Sequence, residues 1–142
     1  MPIRVVRLGS PRTEGEGARL GTVRRPPRGV KKSDYGRLDY YDTWLPELAP
    51  SEKLRKSVRL KHGGVEPSVW KRYARAYRAE MNKPERRRLL DALALLSRHT
   101  AFSVGCYCED VSRCHRSILA ELLAERGAEV FVEDDSRERR AA

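Results

Sequence analysis

The chain has 142 residues, 39% hydrophobic and 35% charged, and its 30 Lys plus Arg against 20 Asp plus Glu give a formal net charge of +10. That length fits one domain with a real core and is too short for two, and no stretch approaches the roughly 20 apolar residues of a membrane span. The N-terminus enters a strand-like pattern without an apolar leader, and three clustered cysteines do not make a disulfide framework, so a cytoplasmic protein is expected.

In chain order, Ile3 to Leu8 reads as a β-branched strand closed by Gly9-Ser10-Pro11. Residues 13 to 18 form a polar turn, and Arg19 to Val23 reads as a short edge strand ahead of the Pro26-Pro27 break. Lys31 to Leu38 suits one or two helical turns, and the aromatics of Tyr40 to Leu45 favour a strand ending at Pro46. Ser51 is placed to cap a helix with Leu54 and Val58 on one face, broken at His62-Gly63-Gly64. Pro67 starts the next helix, where Trp70, Tyr73, Tyr77 and Met81 recur at helical spacing and are read as a core stripe rather than a base-stacking row. A further helix from Pro84 carries Leu89, Leu90, Leu93 and Leu96 and ends near His99.

Ala101 to Tyr107 reads as a strand, and Cys114 to Arg126 as a helix with Ile118, Leu119, Leu122 and Leu123 inward, stopped by Gly127. Glu129 to Glu133 closes the pattern as a strand. Strand, helix, strand over this distance is a right-handed crossover between parallel strands. The expected fold is a single three-layer α/β domain over residues 1–133, its mostly parallel sheet flanked by helices, with residues 134–142 as a disordered tail.

All three cysteines and one of three histidines fall between Cys106 and Arg116, where a strand hands over to a helix. Strand ends of this kind hold ligands in α/β proteins, and the amides of a helix start attract anions. If the first strand is also parallel, Ser10 and Arg12 join Arg113 and Arg116 around a small anionic ligand. Cys114, beside two arginines at the helix start, is the preferred nucleophile or redox residue, with His115 as general base or ligand and Cys106 nearby; a small buried thiol is the packing alternative. Neighbouring helical residues diverge by about 100 degrees, which argues against a direct Cys114–His115 pair.

Cys106, Cys108, Cys114 and His115 are also four donors that zinc accepts, although the usual Cys-x2-Cys spacing is missing. The Cys-x5-Arg loop of phosphatase chemistry is absent, since Ser112 and Cys114 stand where its arginine belongs after Cys106 and Cys108. The charge is uneven: the first 37 residues hold 10 Lys plus Arg against 3 Asp plus Glu, and the last 42 hold 6 against 9. Basic runs at Arg24 to Lys32 and Arg86 to Arg88 suit phosphate backbones, so a nucleic-acid partner is a second expectation.

Three stretches, Arg7 to Arg12, Trp44 to Ser51 and Cys106 through Arg116, resemble the family named as domain of unknown function 488, over about residues 3 to 133. Many relatives end a strand with Cys-Ala-Glu and open the next helix with Cys-His-Arg at this separation. The resemblance implies a compact α/β fold and a strand-end pocket with Cys106, Cys114, His115 and Arg116 at motif positions. Cys108 stands where those relatives have Glu. Together these readings lead to an expected enzyme for a phosphorylated or nucleotide-like small molecule, with a nucleic-acid-binding module or a metal-stabilised structural protein as alternatives.

Overall fold

The computed structural model describes residues 2–57, 66–108 and 114–133. Val58, the His62-Gly63-Gly64 break, Arg113 and the tail from 134 lie outside these. Among the described residues five strands, β1 (Ile3–Arg7), β2 (Ala18–Gly21), β3 (Thr43–Trp44), β4 (Phe102–Cys106) and β5 (Val130–Val132), form one sheet in the order β3-β2-β4-β1-β5. Every pairing is parallel. Four α-helices accompany it among the described residues: α1 (Glu52–Ser57), α2 (Pro67–Met81), α3 (Pro84–Leu96) and α4 (His115–Glu125).

Alternation along the strands divides the core in two. Ile3, Val5, Phe102 and Val104 pack against Tyr77, Met81, Leu90, Leu119 and Leu123, so the helices cover one face. Val6 and Leu8 point the other way, into a second cluster with Val23 and Tyr41. That second covering layer is built largely from irregular chain, with a 3-10 turn at Lys32–Asp34 in place of the one or two helical turns expected there. Burial on both faces explains why β4 is buried at all five positions.

The helix ends follow the sequence signals. Prolines stand at the first turns of α2 and α3, the Ser51 hydroxyl accepts from the Leu54 amide at 3.2 Å, and Gly127 ends α4 at φ +86°. Tyr73, Tyr77 and Met81 are buried as the stripe requires. In α3 the inward face is Leu90, Leu93 and Ala94, while Leu96 is 50% exposed. Burial there centres on the contacts with α4 and α2, and Leu96 stands at the last helical position.

Two strand expectations change. β2 is internal, between β3 and β4, and the two-residue β3 takes the edge. Tyr40 and Tyr41 are not in the strand: Asp39 turns the chain at φ +62°, and the Tyr41 ring lies where a side chain on Gly21 would project. The aromatics that favoured a strand are therefore spent on covering the sheet. The crossover from β4 through α4 to β5 is parallel as expected, but β1 sits between its two strands.

Candidate functional site

β1 and β4 are parallel neighbours with Arg7 opposite Cys106, so both strands end at the same edge. The chain leaving β1 travels towards β2, and the chain leaving β4 travels through α4 towards β5, on the other side. Ligands of open parallel α/β sheets bind in the crevice outside the carboxyl ends of the strands. A cleft of about 1150 Å³ lies there, lined by Ser10, Cys106, Cys108, Cys114 and His115 among others.

Its floor is a thiol–imidazole cluster. Cys106, Cys114 and His115 are all buried, and their Sγ and ring nitrogen atoms lie within 4.8 Å of one another. The Cys106 and Cys114 sulfurs touch, although their Cα atoms are 8.0 Å apart. Cys114 Sγ lies 3.8 Å from His115 Nδ1. This contact overturns the expectation that the two residues diverge: Cys114 is the N-cap of α4 with extended dihedrals, φ −125° and ψ 147°, so helical geometry begins only at His115.

The imidazole is oriented from behind. His115 Nε2 lies 2.7 Å from the Thr22 carbonyl oxygen, which only accepts, so Nε2 carries the proton and Nδ1 turns its lone pair towards the sulfur. Burial lowers the His115 pKa to about 4, with the Arg116 charge adding to the shift and the Thr22 carbonyl opposing it. At neutral pH the ring is therefore an uncharged base or ligand.

The arginines divide differently from the sequence expectation. Arg12 is held by Asp39 at 3.2 Å and by Asp42 at 2.8 and 3.0 Å, away from the cleft lining. Arg116 is buried and donates to the carbonyls of Val6 at 3.1 Å and Cys106 at 3.5 Å, tying the first turn of α4 to the ends of β1 and β4. Ser10 lines the cleft, but its hydroxyl donates to the Arg7 carbonyl. The cationic lining comes instead from Arg7, Arg25, Arg28 and Arg55, and no carboxylate lines the cleft among the described residues. Glu52 sits beside it, bound to Arg25 at 3.2 Å and Arg55 at 2.6 Å.

Aromatic groups complete the walls. Trp70 and Tyr73 stack with centroids 5.2 Å apart, and Tyr40 meets Tyr107 edge-on at 6.3 Å. The helical stripe of α2 thus serves core and cleft together, which periodicity alone does not distinguish. Cys108 lies past the end of β4, in the cleft wall, and outside the close donor group of the floor. The basic run from Arg24 was visible in the sequence; its folding against the strand ends through Pro26-Pro27 was not. Arg24 itself is directed to the carbonyls of Pro50 and Ala49.

A family model described as "Active DUF488-N3 subclade" matches residues 3–127. No curated protein and no solved structure matches the chain. No helix among the described residues is long and apolar enough to cross a membrane.

Proposed function

The chain belongs to the DUF488 family, within the subclade described as active, and because that description names no reaction we propose from the site itself an enzyme acting on a phosphorylated or nucleotide-like small molecule. The observation that carries this reading is the Cys114 sulfur 3.8 Å from the acceptor nitrogen of His115, on the floor of a cleft lined by four arginines. Arg25, Arg28 and Arg55 meet the anionic group of the ligand, and the stacked Trp70 and Tyr73 offer a face for a planar ring.

In this mechanism His115 Nδ1 takes the Cys114 thiol proton, and the thiolate attacks the electrophilic centre of the substrate. The imidazolium that results is steadied through Nε2–H by the Thr22 carbonyl and returns the proton to the leaving group as its bond to that centre breaks, after which water hydrolyses the sulfur adduct and frees the Cys114 thiol. Free thiols suit a reducing compartment, and the cytoplasm is the location that goes with this reading.

The test is a panel of nucleoside monophosphates and sugar phosphates, each incubated with reduced protein and followed by mass spectrometry. At least one is expected to be consumed by the wild type and spared by Cys114→Ser, with the thermal midpoint of that variant nearly unchanged. Consumption that survives Cys114→Ser removes the nucleophile assignment, and a large fall in its midpoint assigns the thiol to packing. If no panel member is consumed and none slows iodoacetamide labelling of Cys114, the reading is wrong.

A further inference from the structure

The floor cluster holds more than a nucleophile and its base require. Cys106 brings a second sulfur against the first, and the His115 lone pair faces the Cys114 sulfur from a ring fixed by the Thr22 carbonyl. We propose that Cys106, Cys114 and His115 form a buried three-donor site for a thiophilic divalent cation of the zinc class, its remaining coordination position open to the cleft.

Four features support it. The three donor atoms converge within 4.8 Å and are all buried. Two thiolates and a neutral imidazole are a donor set that zinc binds, and two negative charges balance the ion, so the loaded floor carries no net charge into the interior. A metal-bound histidine usually donates its other N–H to a carbonyl or carboxylate, and Nε2 meets the Thr22 carbonyl at 2.7 Å. The Cα atoms of Cys106 and Cys114 are 8.0 Å apart, wider than the 4.4–6.8 Å usual across a disulfide.

Three protein donors with an open fourth position resemble a catalytic rather than a closed structural zinc site. Here the same Cys114 sulfur serves both roles. Coordination draws on the sulfur lone pairs and lowers its nucleophilicity, so the loaded form is the slower one and removal of the ion restores the thiol. The site goes beyond the proposed enzyme and does not depend on it.

Untagged protein, reduced and freed of metal by chelation, is titrated with cobalt(II) and then with zinc(II). The expected result is a thiolate-to-cobalt charge-transfer band that saturates at one equivalent, disappears when zinc displaces the cobalt, and is accompanied by a raised thermal midpoint. Cys106→Ser is expected to lose about half the band intensity and at least tenfold in cobalt affinity, and His115→Ala to lose affinity while keeping the two-thiolate band. Cys108→Ser is expected to retain both, and circular dichroism shows which variants are folded. Absence of the band in folded wild-type protein overturns the site, as does its loss in folded Cys108→Ser or a non-reduced thiol count two short of three. Metal binding by a protein that turns over no panel substrate when reduced and metal-free removes the enzyme reading and leaves the site; turnover without metal binding does the reverse.

Discussion

Arg19 and Glu16 carry the most consequential buried charges in the described chain. Both side chains are almost fully enclosed and form a close ion pair. Ser103 Oγ donates to Glu16 at 2.8 Å and the Thr13 amide at 3.0 Å, while Arg19 donates to the carbonyls of Ser10 at 2.8 Å and Asp39 at 2.6 Å. The pair therefore fixes the loop after β1 beside the cleft, and nothing in the alternation of Ala18 to Gly21 signals it. Burial alone would raise the Glu16 pKa, but the bonds from Arg19, Thr13 and Ser103 outweigh it and hold the carboxyl below its ordinary 4.5. A depressed folded value means that the stabilisation is complete above pH 4.5 and is lost as pH falls through the folded value. Glu16→Gln is expected to destabilise the protein by about 3 kcal/mol or more at pH 7, because it leaves a buried guanidinium without its counter-charge. Urea unfolding at pH 7 and through pH 5 to 3 checks both statements: the wild type and the variant should converge in acid, and a constant gap would remove Glu16 from the acid response.

Among the elements, α4 does two jobs that are separable by mutation. Its inner face, with Leu119 and Leu123 fully buried against the sheet core, holds the helix in place, while its N-cap presents Cys114 and His115 to the cleft. Leu119→Ala is expected to cost about 2–5 kcal/mol by leaving a cavity, measured as a lower denaturant midpoint. Iodoacetamide labelling of Cys114 should keep the wild-type rate wherever the variant remains folded; a changed rate there would mean that the helix start depends on that packing. This helix, β1 and β4 were legible because apolar periodicity is local, as were the proline starts and the Gly127 stop. The place of β2 was not legible, since four residues carry no record of which strands lie beside them. Cys114 and His115 were misread as diverging because one pair of N-cap dihedrals decides their contact. Likewise, the site composition was visible in the run from Cys106 to Arg116, but Arg25, Arg28 and Arg55 reach it only through the folding of distant parts of the chain.

At the scale of the whole molecule, a charge of +10 does not act as a uniform cloud. Arg12, Arg19, Arg78 and Arg126 are engaged with carboxylates, and Arg24 and Arg116 with backbone carbonyls. Around the cleft, by contrast, Arg25 and Arg55 share the single carboxylate of Glu52, and Arg28 is exposed, so a surplus of positive charge collects where the strands end. A low-dielectric wall beside such a surplus concentrates anions, and the interaction is screened over about 8 Å at physiological salt. A nucleoside monophosphate is therefore expected to bind more tightly than its nucleoside, with affinity falling as salt rises. Arg28→Ala should weaken the monophosphate about tenfold, leave the nucleoside unchanged, and flatten the salt dependence. Calorimetry over a salt series checks this, with a single-stranded oligonucleotide as the third ligand. If the oligonucleotide binds with a much steeper slope, near 0.7 for each phosphate neutralised over several phosphates, the basic faces beyond the cleft are engaged and the partner is a nucleic acid. A nucleoside that binds as well as its monophosphate would show that the aromatic walls, and not the arginines, select the ligand.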